Sequence, residues 1–161
     1  MSASTAVLVA EIRRVSSVLS DVHDRLETFR GKELSLLGRT PVTAVFVAQV
    51  LDNYYTALET LFLRISQLFE NNLGSDRWHA DLLDKMMLHI SGVREAVLSE
   101  ECGRLLYELL RFRHFKRYYY ELDFDWLKLD YLLSVYERAR PLIQRDLLVF
   151  SDFLGRLGRT G

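Results

Sequence analysis

The sequence predicts an all-α fold: an antiparallel bundle of four to five helices, in one domain over residues 1–161, with a flexible tail from about residue 155. Three observations point there. Only two prolines and eight glycines punctuate the 161 residues. Alternating apolar and polar runs of the kind that make strands are scarce. Apolar side chains instead recur at four-three spacing over long stretches, which gathers them on one side of a helix with 3.6 residues per turn. A hydrophobic share of 49% and a charged share of 27% are those of a globular chain, and the length suffices for a real core.

The first helix is expected from about Ser4 to Phe29, where Leu8, Ile12, Val15, Leu19, Val22, Leu26 and Phe29 form one seam and Gly31 ends it. The second starts at Thr40-Pro41, a capping residue followed by a proline suited to a first turn, and runs to about Asn72. Its seam of Val47, Leu51, Tyr54, Leu58, Leu61, Ile65 and Leu68 is the longest without interruption, which marks it as the central helix. A third covers Asp76 or Trp78 to about Ile90, with Leu82, Leu83, Met86 and Ile90 inward. Gly92-Val93-Arg94 breaks the pattern, and Ser99 then caps a fourth helix whose first turn holds Glu100 and Glu101 at the positive end of the dipole. The last begins near Asp125-Trp126 and reaches about Leu154. Its stripe is Leu132, Tyr136, Ala139, Ile143, Leu147, Phe150 and Leu154, and Pro141 is expected to kink or split it. Trp78 and Trp126, near helix ends, read as packing anchors.

Composition excludes several function classes. With a net charge of −1 the chain is no polycation, so a nucleic-acid footprint has to be local. A single cysteine, Cys102, rules out an internal disulfide and an all-cysteine zinc site, and reads as a small buried side chain. No apolar run is long enough for a membrane span and the first residues lack a basic signal region, so a cytoplasmic location is expected. Asp76-x-x-His79 followed by His89 invites a metal reading, but the paired Glu-x-x-His motifs of a di-iron bundle are absent. His79 and His89 therefore read as surface or partly buried residues, and neither a metal nor another cofactor is expected.

One stretch does not read as scaffolding. Residues 111–120 hold the cations Arg111, Arg113, Lys116 and Arg117, with His114 and the run Tyr118-Tyr119-Tyr120, and no acid occurs between Glu108 and Glu121. It follows the apolar stripe of Leu105, Leu106, Leu109 and Leu110, so on a continuing helix Arg113 and Arg117 lie one turn apart, with His114 and Tyr118 beside them. Fixed guanidinium groups suit a phosphorane-like transition state, and aromatics among cations suit unpaired bases. The plainer readings are a solvated face for Arg111, Lys116 and Arg117, ion pairs from Arg113 to Glu121, Asp123 or Asp125, and packing for the tyrosines. Arg94, in the break before the fourth helix, is a further candidate to line the same cleft.

This stretch resembles the signature of the HEPN superfamily, specifically the HepT-like toxins of bacterial toxin–antitoxin pairs: an arginine, a polar residue, about three more residues, a histidine, any residue, then a tyrosine. Arg113, His114 and Tyr120 take the first, second and last places, and Tyr118 stands where the histidine belongs. The resemblance implies a HEPN-like bundle and metal-independent RNA cleavage by attack of a 2′-hydroxyl, in a cleft shared by a homodimer. It also implies a small MNT-type nucleotidyltransferase antitoxin that transfers AMP to the motif tyrosine. The catalytic set is then Arg113 as transition-state clamp with His114 and Tyr118, the RNA-binding set is Arg111, Lys116 and Arg117, and Tyr120 is the modification target. A phenol ordinarily titrates near about 10, so His114 is the better proton acceptor of the two. RNA, tRNA included, and the antitoxin are the expected partners. The alternative is a non-catalytic HEPN-like module that binds RNA, a nucleotide or a nucleotidyltransferase.

Overall fold

The computed structural model describes residues 3–70, 78–119 and 123–158, without the side chains of Ala3, Tyr118 and Tyr119. Six helices follow one another there: α1 (Ala3–Gly31), α2 (Glu33–Leu37), α3 (Pro41–Phe69), α4 (Trp78–Met86), α5 (Glu100–Tyr119) and α6 (Trp126–Leu157). Among the described residues an isolated bridge between Ile90 and Arg94 is the only β pairing. The chain is thus an all-α bundle. None of its described helices is long and apolar enough to cross a membrane.

The long helices pack antiparallel. Phe29, late in α1, stacks on Phe46, early in α3, while Glu11 near the start of α1 accepts from Arg64 near the end of α3. Ser99 at the start of α5 bonds Asp146 late in α6, and Phe112 late in α5 meets Phe124 just before α6. Helix α3 touches every other helix, as the length of its seam anticipated. The seams are the core: that of α1 is buried except for half-buried Val22, that of α3 except for Leu68, and that of α6 throughout.

Local chemistry explains the ends. Thr40 and Thr43 form a reciprocal capping box around Pro41, and the Asp125 carboxylate accepts from the Leu127 amide at 2.9 Å to start α6. The Ser99 hydroxyl accepts from the Cys102 amide at 3.3 Å and donates to Asp146 at 2.8 Å, so the cap of α5 is tied to α6. The Trp126 indole donates to the Thr40 carbonyl, joining the starts of α6 and α3.

The structure corrects four expectations. The one-and-a-half turns of α2 bury nothing and left no periodic signal. The third helix stops at Met86 rather than Ile90, because the Met86 carbonyl accepts from the amides of Val97 and Leu98 instead of continuing the ladder. Pro141 does not split the last helix: it and Glu137, whose carbonyl loses its amide donor, are both exposed, while Ala139, Ile143 and Leu147 hold the flanking turns to the core. Finally, α6 runs on through Gly155 to Leu157.

Cys102 is fully buried, and burial, with Asp146 as the second cause, pushes its thiol up to about 12. The thiolate is the reactive form. Iodoacetamide at neutral pH should therefore leave the folded protein unlabelled and alkylate it only after denaturant is added. Labelling of folded protein at the rate of a small free thiol would contradict this placement.

Candidate functional site

Two acids break the apolar face of α3. Asp52 and Glu59 lie two turns apart, each one residue past a seam leucine (Leu51 and Leu58), and both are buried. Carboxylates do not stay ionised in a helical interface without cations, and α5 supplies them. The Arg113 guanidinium, its side chain only 6% exposed, donates from Nη1 to Glu59 Oε1 at 2.8 Å and sets Nε 3.3 Å from Asp52 Oδ1. That Nε–H is buried without a properly aligned acceptor. Lys116 donates from Nζ to Asp52 Oδ2 at 3.1 Å and to Gln49 Oε1 at 3.0 Å, and Arg117 Nε lies 3.7 Å from Asp52 Oδ1. Three cations thus share two carboxylates, and Arg117 is 56% exposed at the outer edge.

Three aromatic rings complete the arrangement. The Tyr55 ring lies under the Arg113 guanidinium at 5.8 Å, and burial first, then the Glu59 carboxylate, raises its hydroxyl far above the ordinary range, so it stays neutral. On the other side of Glu59, His79 of α4 places Nδ1 2.7 Å from Oε2. The Trp78 indole stacks on that imidazole with ring centroids 3.6 Å apart. Helices α3, α4 and α5 therefore meet at a single carboxylate.

This geometry divides the expected site residues. Arg113, Lys116 and Arg117 are brought together, facing α3. His114, one residue on from Arg113 and so about 100° round the helix, is exposed on a different face. Arg111 is exposed beside Glu108 at 3.4 Å and lines, with Phe112, Phe115, Phe124 and Lys128, a cavity of about 550 Å³ between α5 and the start of α6. Tyr118 lies within α5 with its side chain outside the description, and Tyr120 lies outside the described residues, as do Asp76 and Glu121.

Two expectations are corrected here. Arg113 pairs with Asp52 and Glu59 of α3 rather than with Asp123 or Asp125, since its side of α5 faces α3. Arg94 does not line a cleft: its side chain is wholly buried and bonds Glu70 and the carbonyls of Lys85, Leu88 and Glu95. His89 pairs with Glu95 at the surface at 2.9 Å. Among the described residues no group of three His, Cys, Asp or Glu side chains gathers as a metal site would require. The residues missed from sequence are Asp52, Glu59 and the pairing of His79. The seven-residue interval between two acids, each beside a seam leucine, was the available signal for the first two.

No curated protein and no solved structure matches the chain. A family model described as HepT-like protein matches residues 46–154, more than half the length, from the first turns of α3 to near the end of α6. That span holds Asp52, Glu59, His79 and the whole basic stretch after Arg111. With a helical bundle and an arginine-anchored motif on its fifth helix, the chain belongs to the HepT-like, HEPN-type family.

Proposed function

We propose that the chain is an endoribonuclease toxin, cleaving RNA as a homodimer and neutralised by an MNT-type nucleotidyltransferase antitoxin. The observation that carries this reading is the fixed cation array on α5. Arg113 is held by Glu59 and Asp52, Lys116 by Asp52 and Gln49, and Arg117 stands exposed beside them, leaving positive charge in excess. Cations held in place before the substrate arrives stabilise a phosphorane-like transition state without reorganisation. Arg113, nearly enclosed, anchors the array from behind, so Arg117 and Lys116 meet phosphate oxygens and Arg111 extends the strip toward flanking nucleotides. The ribose 2′-oxygen attacks phosphorus, the 5′-oxygen leaves, and a 2′,3′-cyclic phosphate remains. For neutralisation, the Tyr120 phenol oxygen attacks the α-phosphorus of ATP and pyrophosphate departs, which adds a bulky anion three residues past Arg117 in the sequence.

A second reading is a non-catalytic module binding RNA, a nucleotide or the nucleotidyltransferase. It is favoured by tyrosine at position 118 and by the engagement of Arg113 with two carboxylates. Purified protein incubated with total tRNA, together with growth after expression alone, separates the two. Cleavage to cyclic-phosphate ends with growth arrest is the expected result. Binding without cleavage in harmless protein would transfer the conclusion to the second reading. Arg117→Ala should weaken RNA binding across sequences and lower the salt slope by about 1, since it removes one phosphate contact. Mass spectrometry after co-expression with an MNT-type nucleotidyltransferase should find one AMP within residues 118–120.

A further inference from the structure

We infer that His79 is the general base of the RNA cleavage, in the place that Tyr118 leaves vacant; this rests on the endoribonuclease reading above. The argument starts from Glu59. With Arg113 on Oε1 at 2.8 Å, this buried carboxylate is held as an acceptor, so the imidazole nitrogen 2.7 Å from Oε2 has to donate. A neutral imidazole donating through Nδ1 carries its lone pair on Nε2. The carboxylate thus selects the tautomer and fixes the ring, as one does behind a catalytic histidine. The Trp78 ring, stacked at 3.6 Å and inclined by 29°, holds the plane from one face. The imidazole is nevertheless 39% exposed, while Glu59 and Arg113 are 7% and 6% exposed. An oriented, solvent-accessible base therefore sits on an enclosed acid–guanidinium pair.

His114 has the same imidazole but lies on another face of α5 from Arg113. His79 shares a carboxylate with Arg113, and from Glu59 to Asp52 is seven residues, about 10 Å along a helix. A ribose over His79 would leave the flanking phosphates running toward Lys116 and Arg117. In the step, Nε2 takes the 2′-hydroxyl proton as the 2′-oxygen bonds to phosphorus. The bond from phosphorus to the 5′-oxygen breaks, and that oxygen keeps the electron pair and takes a proton from water. The imidazolium returns its proton to solvent.

The test is single-turnover cleavage of total tRNA by wild type, His79→Ala, His79→Gln and His89→Ala, with and without added imidazole. Expected are losses of about 100-fold or more in rate for both His79 variants, with RNA affinity within threefold of wild type, as removing a general base predicts. Free imidazole should restore part of the activity of His79→Ala, and His89→Ala, which removes only a surface pair with Glu95, should cleave at least one-third as fast as wild type. An active wild type whose His79 variants stay active overturns the inference and leaves the endoribonuclease reading standing. Loss without imidazole rescue, or failure of both variants to fold, assigns His79 a structural role and overturns it equally. A wild type that binds tRNA without cutting it sinks the endoribonuclease reading itself, and the inference with it.

Discussion

Arg113→Met should cost about 3–5 kcal/mol of folding stability, lowering the melting temperature on the order of 10 °C, whatever it does to RNA cleavage. The size follows from what remains behind. Asp52 and Glu59 are both buried, and the guanidinium lies within ion-pair distance of both. Removing it leaves Glu59 with the half-exposed His79 and Asp52 with Lys116, Arg117 and the Thr56 hydroxyl. Breaking a buried pair on one side costs far more than replacing the pair outright. Arg113→Met combined with Glu59→Gln should therefore recover a large part of the loss, and urea unfolding of the four proteins in that cycle measures the coupling. Arg117→Ala is the contrast. It removes an exposed cation 3.7 Å from Asp52 and should move stability by no more than about 0.5 kcal/mol. Equal small losses at both positions would mean that the carboxylates are not held as described. The same asymmetry requires activity measurements on Arg113 variants to be read beside their stability, whereas the exposed Arg117 carries little of that cost.

The bundle was legible in the sequence and its polar interior was not, for reasons that lie in particular residues. Four-three spacing records a whole face, so Leu8 to Phe29, Val47 to Ile65 and Leu132 to Leu154 predicted three long helices and their buried sides. Caps are local too: Thr40, Ser99 and Asp125 stand where threonine, serine and aspartate satisfy the first amides. Helix α2 and the end of α4 escaped because one depends on a turn too short to show a period and the other on the amides of Val97 and Leu98. The basic stretch on α5 drew attention through composition alone. Its partners lie 54 residues away for Glu59 and 64 for Asp52, on another helix, and no periodicity links them. A charge in sequence carries no record of which way its helix faces, so the burial of Arg113 against Asp52 and Glu59 was not legible there. His79 looked incidental for the same reason, because its significance comes from Glu59, which the sequence offered only as an acid beside a seam leucine.

Arg94→Ala should be as damaging as the loss of Arg113, and its signature should be local. All the guanidinium nitrogens of Arg94 are engaged: Nε and Nη2 with Glu70, Nη2 with the Lys85 carbonyl at 2.8 Å, and Nη1 with the carbonyls of Leu88 and Glu95 at 2.9 and 3.2 Å. One side chain thus satisfies the Lys85 carbonyl in the last turn of α4 and two carbonyls in the segment that follows, and fastens both to the end of α3. Gly92, at φ +73°, makes the turn that lets residues 90 and 94 pair above it. Alanine would leave the half-buried Glu70 carboxylate and three carbonyls without this donor, a loss of about 3–5 kcal/mol. Lysine keeps a charge for Glu70 but cannot fork to the carbonyls, so Arg94→Lys should recover less than half of that loss. Hydrogen exchange should locate the damage, with amides of residues 86–99 losing protection before those of α1 and α6. Under the endoribonuclease reading proposed above, a loosened Arg94 should slow cleavage through the placement of His79 on α4 and leave RNA binding unchanged. Uniform loss of protection across the bundle would instead make Arg94 one more contributor to global stability, with no special hold on the α4–α5 connection.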